Sequence, residues 1–411
     1  MTIHVASAPS LAERYAATRR LSEALAARLS PEDQGVQSMA DASPTKWHLA
    51  HTTWFFETMI LGALPGFKPF DERFAYLFNS YYEGFGPRHP RAQRGLLTRP
   101  SAAEILEYRS FVDEKMAKLL DDDHPLAALI VLGINHEEQH QELILTDIKH
   151  AFFCNPLLPA YSPAPARENR AAPALDWIEH DGGIVRVGHD GNGFAFDNES
   201  PAHDVLLRPF RLASRAVTNR EYRAFMDDGG YAQPEFWLSD GWALKQREGW
   251  RAPLYWFDDN SVFTLHGVQP LDPEEPVAHV SFYEAAAYAS WAGKRLATEF
   301  EWEALARDQP LRGRLLDTNR LHPLPASGGG MQQMFGDVWE WTRSSYDPYP
   351  GYRPLEGALG EYNGKFMVGQ MVLRGGSCAT PQGHIRASYR NFFPPSARWQ
   401  FSGIRLAEDA S

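Results

Sequence analysis

Residues 125–153 have the sequence PLAALIVLGINHEEQHQELILTDIKHAFF. Apolar residues recur in it at three- and four-residue spacings, which predicts one long amphipathic helix. Three earlier segments have the same periodicity and are rich in good helix formers; they are residues 11–29, 46–64 and 101–120. Ser101 with Glu104 three residues later matches a capping box at the start of the last of these. Four long helices in antiparallel order predict a helical bundle.

The rest of the chain lacks this long helical periodicity. Residues 65–100 are rich in glycine and proline and predict a long structured loop, a kind of loop that is usually functional. Residues 155–173, NPLLPAYSPAPARENRAAP, predict a linker. Beyond it, short apolar runs alternate with loops, and three segments predict helices: 219–228, 281–292 and 298–307. The expectation is an α+β protein with a helical domain at 1–155, a linker at 156–175 and a second domain at 176–411.

Composition limits the possible partners. The 411 residues carry a net charge of −12, with 44% hydrophobic and 22% charged residues. A net acidic globular chain is a poor candidate for nonspecific nucleic-acid binding or for an anionic membrane surface. The two cysteines, Cys154 and Cys378, form no C-x-x-C pair, and residues 1–25 contain no continuous apolar run typical of a secretory signal. With no run of 18 apolar residues, we expect a cytoplasmic protein without a membrane span.

The strongest chemical signal lies within the long predicted helix. His136 and His140 are four residues apart, so on a helix they share one face and could bind one metal ion. The segment HEEQH also matches the H-E-x-x-H pattern of zinc hydrolases, with Glu137 as the general base. The structural alternative is that the pair is a coincidence and that the neighbouring glutamates form a solvated face.

A second histidine pair lies in the predicted helix 46–64. The segment WHLAHTTW, residues 47–54, contains His48 and His51, and the aromatic residues that follow His51 at helical spacings place it toward the interior. His48 is a competing candidate. Facing helices of a bundle build metal sites from inward side chains, and three imidazoles leave metal positions open for catalysis. Spacing alone does not distinguish iron from zinc.

Several segments together resemble a known family. They are SPTKWHLAHTTW at 43–54, H-x-x-x-H-x-E at 136–142, PVAHVS at 276–281, RLATEFEWE at 295–303, GDVWEW at 336–341 and RGGS at 374–377. This combination resembles the ergothioneine-biosynthesis sulfoxide synthases of the EgtB type, the hercynine oxygenases. Members of that family join a DinB-like four-helix bundle to a domain related to formylglycine-generating enzymes and C-type lectins.

The resemblance implies a nonheme Fe(2+) enzyme. It assigns His51, His136 and His140 as the iron ligands, and the H-x-x-x-H-x-E pattern is met in full. The implied reaction uses O2 to join a thiol to C2 of the imidazole of hercynine (Nα-trimethylhistidine), with oxidation of the sulfur to the sulfoxide.

The resemblance also implies roles for residues outside the metal site. Tyr81 and Tyr82 in the long loop are candidate catalytic tyrosines, and we do not rank them. Arg88 could pair with a substrate carboxylate through its guanidinium. The candidate hercynine contacts are Gln139 for the imidazole, Asn391 for the carboxylate, Phe392, Phe393 and Trp399 for the quaternary ammonium, and Arg390 within the same C-terminal stretch. Each ring could equally be packed in a core.

The sulfur donor is predicted from a difference between this C-terminal stretch and the corresponding stretch of one branch of the family. In the γ-glutamylcysteine-using branch a Trp-Asp pair and a nearby extra arginine hold the glutamyl group, whereas this chain has Phe392-Phe393. We therefore expect L-cysteine, with γ-glutamylcysteine or a selenosugar donor (a selenoneine synthase) as alternatives. Copper-dependent formylglycine-generating activity needs two cysteines and is not expected, because the second half contains only Cys378. A zinc hydrolase or a noncatalytic lectin-like binding protein remains a further alternative.

Overall fold

A computed structural model describes residues 9–166, 170–361 and 363–410 of the chain. It divides into two compact units, Met1–Ala151 and Phe152–Ser411. Residues 167–169 of the predicted linker and residues 1–8 of the segment inspected for a signal lie outside the described residues. Helices and sheets together confirm the α+β class.

Long helices dominate the first unit, as the periodicity predicted. In chain order the helices are α1 (Leu11–Ala26), α2 (Thr45–Phe55), α3 (Phe74–Phe78), α4 (Ala102–Met116) and α5 (Ala127–Cys154). The predicted capping box at Ser101 and Glu104 is present, and Ser10 with Glu13 forms another at the start of α1. A π-helical turn at Phe56–Ile60 and a 3-10 turn at Leu61–Ala63 extend α2, which explains why the sequence pattern there continues to about residue 64.

The long loop is structured, and buried polar contacts hold it to α2. It contains α3 and several single helical turns. The indole nitrogen of Trp47 donates to the Leu77 carbonyl oxygen at 3.0 Å. Arg94 donates to the Ser43 hydroxyl at 2.9 Å and to the Ser80 hydroxyl at 3.2 Å. These contacts fix the part of the loop that precedes and follows Tyr81 and Tyr82.

The second unit is built from short strands and four helices within its described residues. The strands are β1 (Trp177–His180), β2 (Gly183–Val187), β3 (His203–Leu207), β4 (Phe210–Ala213), β5 (Ser261–Thr264), β6 (Gly267–Pro270), β7 (Arg295–Leu296), β8 (Trp339–Ser345), β9 (Met371–Arg374), β10 (Asn391–Phe393), β11 (Ser402–Gly403) and β12 (Leu406–Asp409). The helices are α6 (Asn219–Asp227), α7 (Ser239–Glu248), α8 (Phe282–Trp291) and α9 (Glu299–Ala306). The sequence predicted α6, α8 and α9 but not α7, whose composition is mainly polar.

Two four-stranded sheets and two hairpins organise these strands. One sheet has the order β1-β4-β12-β7 and is antiparallel throughout; the other has the order β10-β9-β8-β11, in which only β11 runs parallel to its neighbour. Trp302, Trp339 and Trp341 are fully buried in this unit. The Trp302 indole donates to Glu340 at 2.7 Å, and Arg405 pairs with the same carboxylate, so the core contains satisfied charges as well as rings.

Crossing a bilayer requires a helix that is both long and apolar. Over the described ranges, no helix combines the necessary length with the necessary apolar character.

Candidate metal centre

Three histidines from two helices meet inside the first unit. His51 lies on α2, and His136 and His140 lie one turn apart on α5. One ligand nitrogen from each lies within 4.8 Å of the others, and all three side chains are buried. Among the described residues, no other group of three or more histidine, cysteine or carboxylate ligands converges in this way.

The surroundings of His51 fix its orientation and its tautomer. Its Nδ1 lies 2.6 Å from the Phe78 carbonyl oxygen in the long loop. A carbonyl oxygen only accepts, so Nδ1 carries the proton and Nε2 keeps its lone pair. Within the described residues, that buried Nε2 has no hydrogen-bond partner. Trp47 and Trp54 stack nearly parallel to the imidazole, with interplanar angles of 12° and 13°.

His48 is not a member of the trio. Its Nδ1 lies 2.8 Å from Nδ1 of His140, and its Nε2 lies 3.0 Å from an Asp147 oxygen. The competition between His48 and His51 that the spacing left open is therefore resolved in favour of His51 as the group that converges with α5.

Burial keeps the cluster uncharged at neutral pH. Burial lowers the pKa of His136 to about 4, although Glu137 opposes the shift. Burial and the neighbouring His136 lower the pKa of His51 and of His140 well below the usual range. Neutral imidazoles are the form that binds a metal, so the site does not have to lose protons first.

Glu137 does not have the role that the zinc-hydrolase alternative gives it. Its carboxylate accepts from Arg19 at 2.7 Å and from Arg109 at 2.9 Å, and all three side chains are buried. Burial raises its pKa, but the two guanidinium groups outweigh burial and hold the pKa at about 2. A carboxylate with both oxygens paired and a pKa this low is a poor general base, which argues against the zinc-hydrolase alternative.

The candidate residues of the long loop differ in their surroundings. Tyr82 is buried, and its ring centroid lies 5.7 Å from that of Trp54, which itself stacks on His51. Tyr81 is half-buried. Arg88 is exposed and forms an ion pair with Glu83. On α5, Gln139 is half-buried beside His140.

The C-terminal candidates lie in and around β10 of the second unit. Asn391, Phe392, Phe393 and Trp399 are half-buried. Phe392 stacks on Tyr346 with ring centroids 4.0 Å apart, and Phe393 meets Trp399 edge to face at 5.9 Å.

Arg390 differs from its neighbours because it is fully buried. Its guanidinium donates to Glu299 at 2.8 and 3.0 Å and to two carbonyl oxygens, of Asn198 and Asp347. These bonds are internal to the second unit, so Arg390 supports the segment that bears Asn391 and we do not retain it as a substrate contact.

Sequence reasoning missed three groups that surround the histidine cluster. Asp147 lies two helical turns after His140, so the helical period would have placed it on the same face. The Phe78 carbonyl has no sequence signal, because any residue supplies one. Arg94, whose guanidinium carbon lies 3.4 Å from the Trp47 ring centroid, is hidden among other arginines of the loop.

Comparison with known families agrees with the division of the chain. Residues 14–144 match the DinB superfamily, and residues 163–323 and 311–410 match the sulfatase-modifying factor enzyme 1-like domain.

Comparison with known proteins covers both units at once. A hercynine oxygenase of Mycolicibacterium smegmatis is 36% identical over 400 residues, which cover 89% of this chain and 91% of that protein. A hercynine oxygenase of Mycobacterium tuberculosis has the same identity and the same coverage of both chains. Ergothioneine biosynthesis protein 1 of Schizosaccharomyces pombe is 29% identical over 232 residues, which cover 53% of this chain and 28% of that longer protein.

Proposed function

The chain belongs to the hercynine oxygenase family and is an enzyme of that class. From that premise, we propose that it is an Fe(2+)-dependent sulfoxide synthase of ergothioneine biosynthesis. The reaction would join L-cysteine to C2 of the hercynine imidazole with O2 as the oxidant, giving hercynylcysteine S-oxide.

The observation that carries the proposal is the convergence of three neutral, buried imidazoles. His51, His136 and His140 supply three nitrogen donors, and the lone pair of His51 Nε2 has no partner among the described atoms. This donor set fits a divalent iron that keeps open positions. A ferrous ion held there would supply oxygen activation and would lower the pKa of a thiol bound to it.

The chain's own residues would orient the reactants and handle protons. We propose that Tyr81 or Tyr82 holds a phenolic proton for the reaction, since a phenol stays protonated at neutral pH. Gln139 would donate to or accept from the hercynine imidazole. Arg88 would exchange its exposed partner Glu83 for a substrate carboxylate.

The half-buried side chains in β10 and at Trp399 would recognise hercynine itself. We propose that Asn391 contacts its carboxylate and that Phe393 and Trp399 offer ring faces to its quaternary ammonium. Phe392, which is stacked on Tyr346, would contribute mainly by holding this surface in place.

The choice of L-cysteine rests on the same segment. Phe392-Phe393 supplies no charge for a glutamyl group, so the dipeptide γ-glutamylcysteine would lose a charge-assisted contact there. A selenosugar donor remains the alternative for a selenium-using enzyme. A cytoplasmic location, proposed from the cysteine content, would keep the donor thiol reduced.

Reconstitution tests the proposal. Metal-free protein is loaded anaerobically with Fe(2+), then given O2, hercynine and cysteine, and the products are identified by mass spectrometry. Hercynylcysteine S-oxide is expected, in amounts proportional to bound iron, and zinc-loaded protein serves as the control. Absence of product with cysteine, γ-glutamylcysteine and a selenol donor would refute the function. A higher kcat/KM for γ-glutamylcysteine would overturn only the donor assignment.

A further inference from the structure

We propose that His48 and Asp147 are positioning residues that hold the proton of His140 on Nδ1 and so present its Nε2 to the metal. This inference rests on the proposed function only in that it takes His140 to be a ligand. His48 and Asp147 are not members of the three-histidine cluster.

The three side chains form a continuous buried chain between α2 and α5. His48, Asp147 and His140 are 2%, 5% and 7% exposed. Nδ1 of His140 lies 2.8 Å from Nδ1 of His48, and Nε2 of His48 lies 3.0 Å from Oδ2 of Asp147. The same Oδ2 accepts from the Ser43 backbone nitrogen at 2.8 Å, which anchors the carboxylate just before α2 begins.

The hydrogen bonds from His140 to His48 and from His48 to Asp147 decide which ring nitrogen of each histidine carries its proton. The Asp147 carboxylate only accepts, so Nε2 of His48 carries a proton and donates it. Nδ1 of His140 faces His48, so a metal can bind His140 only through Nε2, which requires the His140 proton on Nδ1 and makes Nδ1 of His48 its acceptor. His140 therefore carries its proton on Nδ1, which leaves the lone pair on Nε2.

The proton of His51 is also held on Nδ1, but by a backbone acceptor. A backbone carbonyl, that of Phe78, holds the Nδ1 proton of His51. A side-chain substitution cannot remove this acceptor, whereas the acceptor of His140 is a side chain and can be deleted. The two ligands therefore give an internal comparison within one site.

Metal affinity is the first measurement. Co(2+), which binds such nitrogen sites without air oxidation during a titration, is the probe, in competition with a chelator. His48→Phe removes the acceptor and is expected to weaken Co(2+) binding about 10- to 100-fold. His48→Gln, whose side-chain oxygen can accept from His140, should recover most of that loss. His150→Gln is the matched control, because His150 lies on the same helix and bonds Ser38 at 2.8 Å instead.

The second measurement is made on the wild-type protein, so it does not depend on the folding of His48→Phe. Two-bond 1H–15N spectra of metal-free, 15N-histidine-labelled protein report which ring nitrogen is protonated. We expect the Nδ1–H form for His140 and the Nε2–H form for His48, with the His48 signals assigned by their loss in His48→Gln.

The outcomes separate this inference from the function. Wild-type protein that binds neither Co(2+) nor Fe(2+) would overturn the proposed function. Wild-type protein that binds metal, together with a His48→Phe variant of unchanged affinity, would overturn the positioning role alone. An Nε2–H form of His140 in the labelled wild-type protein would do the same.

Discussion

Two clusters of buried polar groups, one in each unit, are built in opposite ways. In the first, three imidazoles converge, and a buried nitrogen, Nε2 of His51, is left without a partner among the described residues. In the second, Arg374 bridges Glu299 and Glu303 at 3.1 and 2.8 Å, and Arg390 pairs with Glu299. Buried polar atoms normally find partners, so an unmet nitrogen that also converges with two other imidazoles marks a place where a ligand is expected. A buried network of paired charges, such as that of Arg374 with Glu299 and Glu303, instead indicates a structural role.

The same contrast exists within α5 itself. Glu137 and His136 are adjacent in sequence and point to different surroundings, Glu137 to two arginines and His136 to the other histidines. Adjacent helix positions differ by about 100° around the axis, so one helix can serve a structural ion pair and a metal site in successive residues.

The largest expected effect tests whether the histidine cluster is functional. His51→Ala, His136→Ala and His140→Ala should each reduce bound iron from one equivalent to near zero and abolish product formation, because two nitrogens do not hold the ion. Iron is measured by elemental analysis after desalting, with circular dichroism to confirm folding. His150→Ala, outside the cluster, should keep its iron. Full iron in all three cluster variants would contradict the ligand assignment.

An intermediate effect tests whether the network of the second unit is structural. Glu299→Leu leaves the guanidinium of Arg390 buried without its carboxylate, which should lower the free energy of unfolding by about 3–5 kcal/mol. Iron content of the protein that remains folded should not change. Asp204→Asn is the control, since its pair with Arg186 is more than 60% exposed and should change stability by less than about 1 kcal/mol. Equal effects of the two variants would show that the buried network stabilises this unit no more than an exposed ion pair does.

The smallest expected effect is a pH dependence of the metal-free protein. The pKa of His136 falls from an ordinary 6.5 to about 4 on folding, so between these values the unfolded chain binds more protons. Stability should therefore be complete above pH 6.5 and fall as the pH drops toward 4, by about 3 kcal/mol from this group. Urea unfolding at pH 7.0 and 4.5 measures it. His136→Ala should show a shallower dependence, and an equally steep one would contradict the assignment to His136.

Much of the fold followed from local pattern. The helical periods predicted α1, α4 and α5 to within a few residues, because the apolar face and the caps are encoded in neighbouring positions. The predicted helix 46–64 covers α2 together with the π-helical and 3-10 turns that follow it. The polar helix α7 was missed, since a helix of mixed surface lacks a periodic signal. The structured nature of the loop was expected from its length and glycine content, but the contacts of Arg94 with Ser43 and Ser80 were not.

The sequence by itself determined which residues share a face of one helix, and hence that His136 and His140 lie side by side on α5. Only the tertiary structure decided between His48 and His51, paired Glu137 with Arg19 and Arg109, and brought Asp147 and the Phe78 carbonyl to the histidines. The physical reason is that the helical repeat fixes directions within a segment. Directions between segments depend on how helices pack, and no single stretch of sequence contains that information.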